Sequence, residues 1–158
     1  MVVSRYALDC MPYNVLSTTT TWKVWTLHNW LNNDFVGKAF EEIEKNRICE
    51  TIVSANKNPV YDTDPGIDSK DKVFLLSVSE VNIYFSSDSE RQCEPTENAK
   101  AKGAFTNDNG CCNWWLRTPG SSKTCAVTVG IGGVVNSGGS QVGNAVCAVR
   151  PAMWISLE

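Results

Sequence analysis

The stretch that decides the fold is residues 121–147, which read SSKTCAVTVGIGGVVNSGGSQVGNAVC. Val127 and Val129 alternate with small or polar residues, as the inward-facing residues of a half-buried strand do. The pairs Gly132-Gly133 and Gly138-Gly139 are typical of hairpin turns. The stretch therefore predicts two or three short antiparallel strands, with small polar side chains on the face that does not pack.

Apolar segments flank this stretch on both sides. Trp114-Trp115 opens the block before it; this pair could be an exposed ligand platform, but we expect one of the two tryptophans to be buried as a core anchor. Ala148–Ile155 after it predicts an apolar terminal strand. Arg117 and Arg150 lie close to these segments, and we expect them to form structural salt bridges beneath the surface of residues 121–147.

The first two thirds of the chain predict helices. From Leu27 to Ile43 apolar residues recur at steps of three and four, which is a helical period. Asn32–Asp34 interrupts the pattern and is expected to cap a second helical segment that ends near Ile48. Thr51–Val53 predicts a short strand, and the turn-forming residues of 56–70 predict a loop after it. Ser77 and Glu80 have the spacing of a capping box and predict another short helix. Helices first and strands last indicate an α+β domain.

Bulk properties exclude several classes of protein. A chain of 158 residues fits one domain, residues 1–158. Its formal net charge of −3 and scattered basic residues argue against nucleic acid as a partner. No apolar run is long enough to insert into a membrane, and the first residues lack the pattern of a signal peptide. Localisation stays open, with a cell surface or a phage particle as options for a longer chain.

Seven cysteines do not form a recognisable site. They lie at positions 10, 49, 93, 111, 112, 125 and 147, without any CxxC pair. The single histidine, His28, has no nearby cysteine, so we expect neither a metal site nor a cofactor. The odd number of cysteines and the size of the chain favour buried, reduced thiols over a disulfide framework.

Three blocks of the sequence resemble a known family. They are TLHNWLNNDF at 26–35, DKVFLLS at 71–77, and WWLRTPG at 114–120 together with AVRPA at 148–152. They resemble a domain of unknown function from gut bacteria that is related to formylglycine-generating enzymes. The resemblance implies a C-type-lectin-like fold with two main helices, short antiparallel strands and a strand-rich C-terminal third. It also implies a first strand ahead of Val2, so we expect this sequence to be part of a longer chain.

Some proteins of this group are the variable proteins of diversity-generating retroelements, in gut bacteria or their phages. In such systems, adenine-directed mutagenesis turns AAC codons into NNC codons, which never encode Lys, Gln, Glu, Met or Trp. Residues 121–147 fit this restriction apart from Lys123 and Gln141, and they occupy the position of the family's hypervariable region. The resemblance implies a receptor-type protein that binds an unknown protein or glycan ligand. The residues expected to contact it are Lys123, Thr124, Cys125, Thr128, Gly130, Ile131, Val134, Asn136, Ser137, Ser140, Gly143, Asn144, Val146 and Cys147.

Two features depart from the family's pattern. His28 stands where the family has Arg, so we expect a local ion pair to be lost. The variable stretch is also poor in Tyr, Asp and Arg, which usually supply affinity at binding surfaces.

Alternative functions remain open. The first is an invariant glycan-binding or structural domain of a larger surface protein.

An enzyme would have to use Cys111-Cys112, or Cys125 with Cys147. Adjacent cysteines diverge in extended chain, and variable positions cannot maintain catalysis, so we expect no activity. The acidic residues of segment 62–71 could offer oxygen ligands to calcium, but their spacing is not that of a known loop and favours a solvated turn.

Overall fold

The computed structural model describes residues 1–16 and 21–157. It confirms an α+β architecture, with the strands concentrated in the C-terminal third. The strands are β1 (Val2–Val3), β2 (Asp9–Cys10), β3 (Ile48–Cys49), β4 (Thr51–Val53), β5 (Ser69–Asp71), β6 (Val73–Phe74), β7 (Trp114–Pro119), β8 (Cys125–Val129), β9 (Val135–Gln141), β10 (Ala148–Val149) and β11 (Ala152–Ile155). The helices are α1 (Thr26–Trp30), α2 (Val36–Ala39), α3 (Glu42–Lys45), α4 (Val78–Tyr84), α5 (Asp88–Arg91) and α6 (Glu97–Ala101), with a 3-10 turn at Trp22–Val24 and a π turn at Leu31–Phe35.

The largest sheet has the strand order β2-β10-β7-β8-β9, so β9 is an edge strand and β8 is an inner one. Trp115 pairs with Thr128, and Thr128 pairs in turn with Asn136. Most of these pairings are antiparallel, as expected. β10, however, runs parallel to β7, through the pair Ala148 and Trp114. Every residue of β7 and β8 is buried, which makes these two strands the centre of the fold.

The terminal strand predicted over Ala148–Ile155 is two strands that belong to different sheets. β10 joins the large sheet, whereas β11 pairs with β1, β3 and β6 in a second sheet. Arg150-Pro151 separates them. Proline has no N–H to donate to a ladder, so a break at this point is physically expected.

The helix predicted from Leu27 is present, but its interruption is not. α1, the π turn and α2 form one continuous helical stretch from Thr26 to Ala39. Instead of capping a second helix, Asn32 reaches sideways to the start of β6. Its side chain donates to the carbonyl oxygen of Val73 at 2.9 Å and accepts from the N–H of Lys72 at 2.8 Å. The next helix, α3, ends at Lys45, and Ile48 is already in β3.

The capping box at Ser77 is confirmed and starts α4. Glu80 of this helix also pairs with Arg117 of β7, so the salt bridge expected for Arg117 is confirmed. For Arg150 the same expectation is not met within residues 1–16 and 21–157, where it forms no salt bridge. Its guanidinium donates to backbone carbonyl oxygens and lies 5.0 Å from the ring centroid of Trp114.

The core contains a group of interlocked aromatic rings. Tyr13 lies edge-on to Trp25 at 4.0 Å and to Trp115 at 5.3 Å between ring centroids. Trp114 and Trp115 are both fully buried, so neither is a ligand platform. Among the described residues, no helix combines the length and apolar character needed to cross a membrane.

Candidate binding surface

Residues 121–147 fold into β8, a tight turn, β9 and a loop that leads into β10. Most of the residues expected to contact a ligand are at least partly exposed there, and we call these exposed residues the display surface. They are Lys123, Thr124, Gly130, Ile131, Val134, Asn136, Ser137, Ser140, Gly143, Asn144 and Val146.

Three of the expected contact residues do not belong to this surface. Cys125 is 7% exposed, Thr128 is 4% exposed and Cys147 is 1% exposed. The first two lie on β8, which is covered by neighbouring strands on both edges and by protein on both faces. Cys147 lies just before β10, an inner strand of the same sheet. The expectation was wrong for these three, because an alternating pattern does not reveal when both faces of a strand are covered.

The display surface has two ends, joined by β9. Gly130, Ile131, Val134 and Asn136 lie at the hairpin end, where the chain turns from β8 into β9. Lys123, Thr124, Ser140 and Asn144 lie at the other end, because the N–H of Val142 donates to the carbonyl oxygen of Thr124 at 2.9 Å. A strand of seven residues spans roughly 20 Å. The surface is therefore a strip along the sheet edge.

A loop from an earlier part of the chain completes this strip. The side-chain nitrogen of Asn58 donates to the carbonyl oxygens of Ser137 and Pro119, both at 2.8 Å. Tyr61 follows and is 40% exposed, with its hydroxyl 3.8 Å from where a Cβ at Gly138 would lie. Turn-forming residues predicted this loop, but no local pattern could show that it packs against β9. Tyr61 is therefore a candidate contact residue that sequence reasoning missed.

Gly138-Gly139 was expected to form a hairpin turn and instead forms a bulge inside β9. Ala126 pairs with Ser140 and Thr128 with Asn136, so β9 has two more residues than β8 between these pairs. Gly139 has a φ of +77°, and a Cβ there would lie 2.2 Å from the carbonyl oxygen of Ala126. This position accepts only glycine.

The display surface carries little charge. Lys123 Nζ lies 3.1 Å from the Oδ2 of Asp64, in the same loop as Asn58. The backbone N–H of Gly66 and this lysine together lower the pKa of Asp64. Both partners are exposed to solvent, so the pair adds little stability. With its one cation paired, the surface offers hydrogen-bonding groups and shape to a partner, but no strong electrostatic field.

The thiols considered for catalysis are buried. Burial raises the pKa of Cys111 and raises that of Cys147 to about 12. The neighbouring thiol of Cys93, and then burial, raise the pKa of Cys112 far above its ordinary value. A thiol nucleophile must be deprotonated to react, so these three groups are unsuited to that role at neutral pH.

The acidic residues proposed as a calcium loop have separate partners. Asp71 is fully buried and accepts hydrogen bonds from Trp22 and Ser69, each at 2.9 Å. Nε2 of His28 lies 2.7 Å from its other oxygen, so a hydrogen bond joins His28 to Asp71, while the expected loss of an ion pair at His28 stays a prediction. Asp68 instead accepts from the N–H of Ala55 at 2.8 Å. In the described ranges no group of three His, Cys, Asp or Glu is placed to hold a metal ion.

Comparison with known proteins gives a family but no function. The chain belongs to the family described as Domain of unknown function (DUF6273), whose model matches residues 1–157. Neither a curated protein nor a solved structure matches the chain.

Proposed function

We propose that this family member is a ligand-binding protein of C-type-lectin-like fold that presents the display surface to a protein or glycan target. We further infer that the surface is hypervariable and is diversified by a retroelement. The proposal depends on one observation above all. Two paired strands of the same sheet have opposite roles, since β8 is wholly buried while β9 is at least partly exposed along its whole length.

This division of roles permits variation. All five residues of β8 are at most 7% exposed, and together with Trp114 and Trp115 they form the centre of the fold. Side chains on β9 and on the loops at its ends have solvent on one side. Exchanging the side chains of the display surface therefore leaves the core packing intact, as in binding proteins that vary loops on a rigid scaffold.

The chemistry of the surface suits recognition rather than catalysis. Its Ser, Thr and Asn side chains donate and accept hydrogen bonds in many geometries, and Tyr61 adds an exposed aromatic ring beside them. Tyr, Ser, Gly and Asn are the residue types enriched in antibody contact loops. The buried thiols of Cys111, Cys112 and Cys147 have raised pKa values and are poor nucleophiles at neutral pH, which supports a protein without enzymatic activity.

The restricted set of residues supports diversification at AAC-derived codons. Every residue of the display surface except Lys123 is one that an NNC codon can encode. Lys123 has a structural reason to stay constant, because it pairs with Asp64 of the adjoining loop. Gln141, the other exception within residues 121–147, is opposite Cys125 in the β8–β9 ladder.

Sequencing the DNA around the gene tests the proposal. We expect a nearby template repeat that matches the coding sequence of the display surface and differs from it only at template adenines, together with a reverse transcriptase gene. Codons for Val134, Asn136, Asn144 and Val146 should differ between copies, whereas those for the buried Val127, Val129 and the bulge glycine Gly139 should not. A locus without the repeat, or with differences spread equally over β8 and β9, would leave an invariant glycan-binding or structural domain as the better description.

A further inference from the structure

A polar cavity of about 340 Å³ is lined by residues outside segment 121–147. One of them, Gln92, donates to the carbonyl oxygen of Gly132 in the hairpin turn at 3.4 Å. The residues that matter here are Arg5, Glu90, Cys93, Glu94 and Arg150. They come from the start of the chain, from the segment that follows α4, and from the break between β10 and β11. The volume is within the usual range of small-molecule sites.

Arg150 places a buried positive charge in the wall of this cavity. It is 7% exposed, and its Nε and Nη1 donate to the carbonyl oxygens of Ser4 at 2.9 Å and Arg91 at 3.3 Å. The rings of Phe85 and Trp114 lie 5.1 and 5.0 Å from its guanidinium carbon. Within residues 1–16 and 21–157, no carboxylate pairs with it, and its Nη2 has no hydrogen-bond partner.

An arginine buried without an anion is unusual. Removing a charge from water costs several kcal/mol, and buried charges are normally paired. Cation–π contacts with two rings offset part of that cost. The free Nη2 of a guanidinium that lines a cavity is placed to donate to an anionic group held there.

The same cavity also has carboxylates on its wall. Glu90 and Glu94 line it, and among the described residues neither forms an ion pair, although Glu90 accepts a hydrogen bond from the backbone N–H of Ser86 at 2.6 Å. The thiol of Cys112 lowers the pKa of Cys93 against the effect of burial. Arg150 acts in the same direction and Glu94 in the opposite one, so both charges lie close to this thiol of the wall.

We propose that this cavity binds a free α-amino acid, whose carboxylate lies at Arg150 and whose ammonium group lies at Glu90 and Glu94. A phosphate dianion would meet repulsion from the two glutamates, and a simple cation would meet repulsion from the two arginines. A zwitterion satisfies both sets of unpaired charges. The site uses none of the residues of the display surface, so this inference does not depend on the function proposed above.

Isothermal titration calorimetry of the whole chain with the twenty common amino acids, one at a time, tests this inference. We expect at least one to bind at a single site, while acetate and methylammonium at the same concentrations do not. If no amino acid binds, or if acetate binds as tightly as the best amino acid, the inference is wrong.

Substitutions place the binding at this cavity. Glu94→Gln should weaken the best amino acid at least tenfold, and Arg150→Lys should weaken it more. Lys123→Gln, on the display surface, is the matched control and should leave the affinity unchanged. Because Arg150→Lys alters a buried group, its melting temperature is measured first, and Glu90→Gln at the exposed wall replaces it if the variant does not fold. Unchanged affinity in both Glu94→Gln and Glu90→Gln would overturn the assignment.

Discussion

The side-chain nitrogen of Asn58 donates to the carbonyl oxygen of Ser137 at 2.8 Å, which fixes a distant loop to the exposed edge of β9. The same nitrogen donates to Pro119, and the side-chain oxygen accepts from the N–H groups of Val60 and Tyr61 at 2.9 and 3.2 Å. An unpaired strand edge is a template for pairing with other chains. This single side chain therefore both shields part of the edge and places Tyr61 on the binding strip.

Asn58→Ala should destabilise the protein by about 2–3 kcal/mol, because it leaves two carbonyl oxygens and two N–H groups without their partner in a buried place. Urea unfolding followed by tryptophan fluorescence measures the change. Asn136→Ala, on the exposed side of the same strand, is the control and should cost less than about 0.5 kcal/mol. Equal unfolding midpoints for the two variants would show that the loop is not held by Asn58.

A reciprocal exchange tests which side of the β8–β9 ladder is free to vary. Thr128 and Asn136 are directly paired, yet Thr128 is 4% exposed and Asn136 is exposed. Thr128→Asn should cost about 1–3 kcal/mol, because a larger polar group enters a filled space. Asn136→Thr should be nearly neutral. Thermal unfolding of both variants provides the measurement, and similar losses in both would remove the basis for a display role of β9.

Features set by neighbouring residues were predictable from the sequence. The capping box at Ser77, the strand Thr51–Val53 and the turn-rich loop before β5 all depend on groups within a few residues of one another. The hairpin between β8 and β9 was also predicted, since its turn residues lie together. In each of these features, the residues that cause the structure are contained in the local sequence.

Features set by distant residues were not predictable. The burial of Thr128 and Cys147 depends on what covers the second face of the sheet, and alternation within one strand contains no information about that. Gly138-Gly139 has the composition of a turn, but its position opposite Ala126 makes it a bulge. The pairing of His28 with Asp71 joins residues 43 positions apart, and Tyr61 reaches the display surface only through the tertiary contact of Asn58.

The ion pair of Arg117 and Glu80 should contribute to stability through its charge as well as its hydrogen bonds. Arg117 is 5% exposed and donates also to the carbonyl oxygen of Leu75 at 2.8 Å. Glu80→Ala should cost about 3 kcal/mol, because it leaves a buried guanidinium without its anion. Glu80→Gln should cost less, since glutamine keeps the capping contact with the N–H of Ser77.

A double variant separates the pair from its surroundings. If Arg117 and Glu80 act together, Arg117→Met combined with Glu80→Gln should be clearly more stable than the sum of the two single losses predicts. Urea unfolding of the three variants and the parent measures this coupling. Strictly additive losses would mean that each residue contributes separately, through its other hydrogen bonds.

Stability should fall as the pH rises above about 9, because several acidic groups are held in their neutral form by the fold. Burial raises the pKa of Cys10 to about 11 and that of Cys147 to about 12, and it raises the pKa of Tyr13 well above its usual value. In the unfolded chain these groups lose their protons near their ordinary pKa values. At pH values between a group's ordinary pKa and its raised pKa, the unfolded state binds fewer protons than the folded state. Each group therefore lowers the free energy of unfolding by up to about 1.4 kcal/mol per pH unit.

Unfolding midpoints in urea, measured at steps from about pH 8 to about pH 11 with a reducing agent present, should therefore decline with increasing pH. The double variant Cys10→Ala and Cys147→Ala should decline less steeply, because it lacks two of the groups whose pKa the fold raises, while Tyr13, Cys111 and Cys112 remain. Cys49→Ala, which removes a partly exposed thiol on β3, serves as the control for loss of a cysteine. If the double variant keeps the full slope of the parent, the folded chain does not hold these two thiols in their protonated form.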